Sequence, residues 1–249
     1  MEETKRLTRK EKRLLRQNGG KVHIQEKLNF NLKHIEPLTQ NQKLSFQAYD
    51  QNKNLMLHGI AGTGKSFISL YLTLKQVLAE NSPYKKIIIV RSVVPTRDMG
   101  FLPGNTKEKA KVYEAPYTAI CSELFGRGDA YEYLKSKNII EFISTSFIRG
   151  ITLNDCIVIV DEMQNMDWGE LSSIITRIGN NCKIIFCGDI RQSDFRHREK
   201  DSKHDILKFM SIIQKMSEFQ SIEFDIPDIV RSKLVKNFII HTNKLGYLL

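Results

Sequence analysis

Six short runs of apolar residues, separated mostly by stretches with helical spacing, dominate the pattern of this chain. Several of these runs are continuously apolar rather than alternating, which is typical of strands covered on both faces. We therefore predict an α/β fold in which a mostly parallel sheet is flanked by helices. The predicted strands span residues 54–58, 86–91, 139–143, 156–160, 183–187 and 219–224.

Two further segments differ from this succession of predicted strands and helices. After Pro37 and Thr39, apolar residues recur at helical spacing, so a capped helix is predicted to begin there. Between Pro95 and Tyr117, glycine, proline and lysine are frequent, which predicts a long functional loop rather than a core element.

Length and composition narrow the class of protein. A chain of 249 residues with 41% hydrophobic content can bury one sizeable core. No apolar run approaches the roughly 20 residues that cross a bilayer, and the first residues lack the apolar centre of a secretion signal. We expect a cytoplasmic protein with no membrane partner. The four cysteines form no C-x-x-C pair, so free thiols and no zinc site are expected.

The charge is strongly positive and unevenly distributed. The formal net charge is +10 and the pI is about 9.4, which favours polyanionic partners such as nucleic acid. Basic residues are concentrated before Gly19 and Gly20, so we predict a basic N-terminal arm over residues 1–28 and one domain over 29–249. The arm either contacts nucleic-acid phosphates or is a solvated tail, and the sequence is compatible with both.

The segment 55–70 has the form of a strand, a phosphate-binding loop and a helix start. Its pattern G-x-x-x-x-G-K-S is typical of a nucleoside triphosphate site, because the glycines let backbone N–H groups face phosphate oxygens. Lys65 is expected to reach the β- and γ-phosphates, and Ser66 to ligate Mg²⁺. The residues expected to bind the nucleotide are Gly59, Ile60, Ala61, Gly62, Thr63, Gly64, Lys65, Ser66 and Phe67.

An apolar strand at 157–160 delivers Asp161 and Glu162 at its carboxyl end and resembles a Walker B motif. Asp161 is expected to hold Mg²⁺, and Glu162 to act as the base that deprotonates the attacking water. The next strand ends before Asp189 and Gln192, either of which could sense the γ-phosphate. The alternative is a turn with a helix cap at Asp189.

Six segments carry a resemblance to a known family, namely 59–66, 100–104, 149–153, 161–165, 176–179 and 188–194. Together they resemble the PhoH-like ATPase family. The resemblance covers about Pro37 to the end of the chain and implies a RecA-like core related to superfamily-one helicases, ATP hydrolysis and a role on RNA. It also implies that Gln42 reads adenine. Ile60 and Ser66 depart from the proline and threonine common in the family, and neither change removes a phosphate-binding group.

Superfamily-one helicases complete the ATP site with arginines from a second RecA-like domain, and this chain has motifs for one. We therefore expect a homo-oligomer, with a hexameric ring as one form it could take, in which an arginine of one subunit reaches its neighbour's γ-phosphate. Arg231 and Arg177 are the candidates, and surface salt bridging is the alternative for each.

The candidate groove for RNA or single-stranded DNA is less sharply defined. Lysines on the middle loop could follow a sugar-phosphate backbone while an aromatic ring stacks on bases, and the alternative is a solvated loop. The residues concerned are Phe101, Lys107, Lys109, Lys111 and Tyr113.

Three functions are compatible with these features. The first is an ATPase acting on nucleic acid, as a helicase-like motor. The second is a nucleotide kinase, and the third is a nucleotide-dependent scaffold with little turnover. Glu162 directly after Asp161 favours the first, since a kinase needs no base for water at that position.

Overall fold

A computed structural model describes residues 31–92, 106–189 and 201–245. All six predicted strands are present within it, each within one residue of its predicted bounds. They are β1 (Asn54–Gly59), β2 (Lys86–Arg91), β3 (Ile140–Ser144), β4 (Cys156–Asp161), β5 (Cys182–Gly188) and β6 (Phe219–Phe224).

The strands form one sheet in the order β3-β2-β4-β5-β1-β6, and every pairing between them is parallel. The predicted α/β class is thereby confirmed. Since parallel strands end at the same edge of a sheet, the segments that follow β1, β4 and β5 all start from one edge. β5 lies between β1 and β4, so the segment after it starts between the phosphate-binding loop and the acidic strand end.

Helices surround this sheet. The predicted capped helix is confirmed, with the Thr39 hydroxyl accepting a hydrogen bond from the Gln42 N–H. The helices in the described ranges are α1 (Gln40–Asp50), α2 (Lys65–Val77), α3 (Thr106–Phe125), α4 (Ala130–Ser136), α5 (Trp168–Ile175), α6 (Asp201–Ile213) and α7 (Lys233–Lys244). No helix in these ranges is long and apolar enough to cross a bilayer.

The core has two layers because side chains alternate across each strand. Ile157 and Ile159 of β4 join the apolar cluster that contains residues of α1 to α4. Val158 and Val160 join the opposite cluster, which contains residues of α5 and α6. Both faces of the inner strands β1, β2, β4 and β5 are covered, which explains why these strands are largely apolar without alternation. The edge strands β3 and β6 are less buried and include polar residues.

The prediction of a long loop over 95–117 is wrong for its second half. Residues from Thr106 onward form α3, and the side chain of Tyr117 is buried. Pro116 lies inside this helix. Because proline usually interrupts a helix, its presence near lysines and glycines favoured a loop in the sequence pattern.

Several predictions concern residues outside the described ranges. The basic arm over 1–28 belongs to this group, as do Phe101 and Gln192. The backbone of Lys107 and Lys109 is part of α3, but their side chains are not described.

Candidate nucleotide site

The phosphate loop, residues 59–66, has the backbone that its glycines predict. Gly62 and Gly64 have φ of 77° and 84°, which glycine adopts without strain. Gly59 packs so closely on β6 that an added Cβ would lie 2.0 Å from the Phe224 carbonyl oxygen. The Ile60 N–H donates to that same oxygen at 3.1 Å. The start of the loop is therefore fixed against the last strand of the sheet.

The side chain of Lys65 folds back onto the loop residues that precede it in the sequence. Its ammonium group donates to the Gly59 and Ile60 carbonyl oxygens at 2.8 and 2.7 Å, and to the Thr63 hydroxyl at 3.3 Å. Burial lowers the pKa of Lys65, and the nearby carboxylate of Asp189 opposes that shift. The lysine is thus held against the backbone of the loop, where it can exchange a carbonyl contact for a phosphate oxygen.

Ser66 and Asp161 meet at the start of α2. The Ser66 hydroxyl donates to Asp161 Oδ1 at 2.9 Å, and the Tyr117 hydroxyl donates to Asp161 Oδ2 at 2.8 Å. A hydroxyl beside a carboxylate is the hard-oxygen donor set that Mg²⁺ prefers, so these residues fit that ion.

Sequence reasoning missed Tyr117, which the structure places in contact with Asp161. A signal was available in the sequence, because apolar residue types recur at helical spacing from that position and indicate an amphipathic helix. These residues are Tyr117, Cys121 and Leu124.

Glu162 follows Asp161 with a left-handed backbone, φ 54°. Its Oε2 accepts a hydrogen bond of 2.5 Å from Gln164 Nε2, and Arg91 Nη2 lies 3.9 Å from its Oε1. Burial raises the pKa of the Glu162 carboxyl, and the neighbouring charge of Asp161 raises it further. A carboxylate with a raised pKa accepts a proton more readily, which suits the predicted role as a base.

Gln42 contacts the phosphate loop directly. Its side chain is buried, its Nε2 donates to the Thr63 carbonyl oxygen at 3.0 Å, and its Oε1 accepts from the Leu38 N–H at 2.8 Å. The predicted adenine-reading glutamine is therefore positioned by two backbone contacts beside the loop.

One cavity of about 580 Å³ joins these groups. It brings together the phosphate loop, the acidic end of β4 and the end of β5, which are far apart in the sequence. Its lining includes Gln42, Ala61, Gly62, Gly64, Lys65, Ser66, Phe67, Asp161, Glu162, Asp189 and Arg231.

The two candidate arginines lie at opposite ends of the strands of the sheet. Arg231 lines this cavity in its own chain, and a Cβ added to Gly62 would lie 3.0 Å from its Cγ. The Arg177 carbonyl oxygen accepts from the Leu153 N–H, ahead of the amino end of β4. Its Nε is buried and has no hydrogen-bond partner among the described residues. Arg177 is therefore remote from the cavity of its own chain.

The described part of the candidate nucleic-acid groove lies on α3 instead of a loop. Lys111 is exposed. The ring of Tyr113 is half-buried, with the guanidinium carbon of Arg91 5.8 Å from the ring centre. Arg91 thus lies between Tyr113 and Glu162.

Residues 34–242 match the family described as PhoH-like protein. A PhoH-like protein of Bacillus subtilis is 32% identical over 208 residues, which cover 83% of this chain and 63% of the relative. A PhoH-like protein of Mycobacterium leprae is 29% identical, covering 83% of this chain and 58% of that protein. The chain therefore spans less than two thirds of the length of these relatives.

Solved structures with a similar arrangement have low sequence identity. The UvsW helicase of bacteriophage T4 is 19% identical with a TM-score of 0.39, covering 88% of this chain and 69% of that one. The large terminase of a thermophilic bacteriophage, solved in complex with ADP, is 12% identical with a TM-score of 0.43, covering 81% and 49%.

Proposed function

Because the chain belongs to the PhoH-like family, we propose that its cavity binds ATP with Mg²⁺ and that Glu162 promotes hydrolysis of the bound nucleotide. The family, the parallel sheet and the phosphate loop together give a nucleotide-binding fold of the P-loop NTPase type. Beyond this fold, we propose that the nucleotide is ATP, that binding depends on Mg²⁺ and that the bound nucleotide is hydrolysed.

The observation that carries this proposal is the contact between Ser66 and Asp161. Their 2.9 Å hydrogen bond joins the phosphate loop to the acidic strand across 95 residues of sequence. Lys65 and Glu162 line the same cavity. A triphosphate held by the loop would therefore have its terminal phosphate close to a carboxylate that can accept a proton.

Each residue has a separate part in the proposed reaction. The loop amides and Lys65 bind the phosphates, and Gln42 contacts the adenine. Glu162 removes a proton from the attacking water, whose oxygen then bonds to the γ-phosphorus while the bond to ADP breaks. Mg²⁺ bound beside Ser66 and Asp161 would neutralise phosphate charge.

We also propose that the chain acts on RNA or single-stranded DNA and works as a homo-oligomer. The net charge of +10 and the exposed Lys111 on α3 support a polyanionic partner. The position of Arg177 supports a role in a neighbouring subunit, because a head-to-tail contact would bring the amino edge of one sheet to the cavity edge of the next.

The test is phosphate release from ATP, with and without Mg²⁺, in the presence of RNA or DNA homopolymers. We expect Mg²⁺-dependent turnover that single-stranded nucleic acid stimulates, with the stimulation weakening as salt rises. Absence of turnover with tight ATP binding would contradict hydrolysis and favour a scaffold.

Substitution of the proposed base makes this test specific. We expect Glu162→Gln to lower turnover about 100-fold or more while ATP binding is retained, since a general base contributes on that scale. Glu141→Gln is the matched control, because Glu141 lies in β3 and pairs with Lys86. Full activity in E162Q would show that another group accepts the proton.

A further inference from the structure

Gln164 is a buried polar residue that the proposed reaction does not use. It lies in the short 3-10 turn Met163–Asn165, two residues beyond Glu162, and is 2% exposed. Buried amide groups are nearly always hydrogen-bonded, so the hydrogen-bond partners of Gln164 indicate which groups it positions.

Both ends of the Gln164 amide group have a partner. Its Nε2 donates to Glu162 Oε2 at 2.5 Å, and its Oε1 accepts from the Asp189 N–H at 3.0 Å. The side chain therefore links the carboxylate that follows β4 to the backbone that follows β5. Both linked residues line the nucleotide cavity.

The end of β5 is shaped to admit this amide group. A Cβ added to Gly188 would lie 2.6 Å from Gln164 Oε1 and 2.6 Å from Met163 Cγ. A larger residue at that position would push the turn and the Gln164 amide away from β5. The glycine at 188 thus allows the contact between Gln164 and Asp189.

Glu162 depends on such a contact because its backbone leaves the regular strand. Its φ of 54° is left-handed, so the pleat of β4 does not set the direction of its side chain. Arg91 Nη2, at 3.9 Å, is too far to donate a hydrogen bond to the carboxylate. Gln164 does donate one, and its own position is fixed by Asp189.

We propose that Gln164 is a positioning residue for Glu162, holding its carboxylate oriented toward the water that attacks ATP. The inference rests on the proposed hydrolysis and adds a residue to it. Gln164 is not among the residues that line the nucleotide cavity, so it acts through the Glu162 side chain.

The test compares Gln164→Met with wild type, alone and in the E162Q background. Methionine preserves the length of the side chain and removes both polar ends. We expect Q164M to lower kcat about 10- to 100-fold, as loss of an orienting partner commonly does. KM and the Kd for Mg-ATP should stay within about threefold, because the phosphate-binding groups are unchanged.

The double variant separates positioning from general structural support. If Gln164 acts through Glu162, adding Q164M to E162Q should change the residual single-turnover rate less than about twofold. A structural role would lower the rate by the same factor in both backgrounds and would overturn the proposal. Gln220→Met, at an exposed glutamine of β6, is the control for the substitution itself.

The remaining outcomes are also decisive. Gln164→Asn keeps a polar amide but shortens its reach, so it should reproduce the kcat loss even if Q164M does not fold. A kcat within about twofold of wild type in Q164N, or in folded Q164M, would overturn the positioning role while leaving ATP hydrolysis intact. A wild-type chain without turnover would instead overturn the proposed function and this inference with it.

Discussion

At the scale of single residues, Gly59 shows why the nucleotide site depends on the last strand of the sheet. Its φ is 120°, and its Cα faces the Phe224 carbonyl without room for a side chain. Two requirements therefore fall on one position, a backbone that favours glycine and a close approach to β6. The motif pattern indicates the first requirement, and the fold adds the second.

We expect Gly59→Ala to destabilise the protein by at least about 2 kcal/mol and to abolish ATP binding, because the added Cβ would collide with rigid backbone. Thermal or denaturant unfolding measures the first effect, and calorimetric titration with Mg-ATP the second. Gly128→Ala is a suitable control, since a Cβ there would meet no atom within 4 Å. Normal stability of G59A would mean that β6 can move away from the loop.

The residues of the site divide into those with a motif and those without one. Lys65, Ser66 and Asp161 could be assigned to one site from the sequence because each belongs to a short local motif, either the phosphate loop or the acidic end of a strand. Tyr117 reaches Asp161 from 44 residues away, so its role depends on how α3 packs. Gln164 lies inside a motif segment, but its partner Asp189 belongs to another strand end and is brought near only by the sheet.

At the scale of elements, Lys183 joins the start of β5 to the end of α1. Its ammonium group is buried, donates to the Tyr49 carbonyl oxygen at 2.8 Å and lies 3.7 Å from the centre of the Tyr49 ring. Burial lowers the pKa of Lys183 to about 8. The hydrogen bond to the carbonyl oxygen at the end of α1 stabilises the charged form of Lys183. Removal of its ammonium group from water has the larger effect, so the pKa is lowered.

This pKa predicts how stability depends on pH. Because Lys183 holds its proton less tightly in the folded state than in the unfolded state, folding releases a proton between about pH 8 and pH 10.4. Stability of wild type relative to Lys183→Met should therefore rise through that range, by about 1 to 3 kcal/mol.

The measurement is urea unfolding of both proteins at several pH values. Lys85→Met is the control for the substitution itself, because it also removes a lysine but at an exposed side chain. A stability difference between wild type and K183M that is flat or falls above pH 8 would contradict the buried, easily deprotonated lysine.

Elements differ in how well the sequence predicts them. The six strands could be located within one residue, and four of them, β1, β2, β4 and β5, contain the short apolar runs that are typical of buried parallel strands. The first half of α3 could not, since Pro116 and the surrounding lysines resemble a loop in the absence of tertiary contacts. The packing of Tyr117 and Cys121 into the core holds the helix there despite the proline.

At the scale of the whole molecule, the common direction of the parallel strands places the two candidate arginines at opposite ends of the strands. Arg231 lines the cavity of its own chain, whereas Arg177 precedes β5 at the amino edge of the sheet. Arg231 can therefore act within one subunit. Under the proposed oligomer, Arg177 would act on the cavity of a neighbouring subunit.

A subunit-mixing experiment tests this difference. Lys65→Ala disables the phosphate loop, and Arg177→Ala removes the arginine while leaving that loop intact. If Arg177 acts in a neighbour, equal mixing of K65A and R177A should restore turnover, because about one interface in four would combine an intact loop with an intact arginine.

The same mixing with Arg231→Ala provides the contrast. No recovery is expected from K65A with R231A, since each subunit would lack one part of its own site. Mass measurement in ATP and Mg²⁺ should accompany both mixtures. Mixed oligomers without recovery in the first pair would rule out a trans role for Arg177, and a fully active monomer would rule out the oligomer itself.

The pairing of β6 with β1 limits how far this chain can be shortened. A truncation ending before Phe219 would retain the Gly-Lys-Ser loop, the Asp-Glu pair and Gln164. It would nevertheless lose the Phe224 carbonyl beneath Gly59 and the hydrogen bond from the Val230 N–H to the Gly62 oxygen. Such a fragment would contain every sequence motif of the nucleotide site but would lack the strand against which its phosphate loop packs.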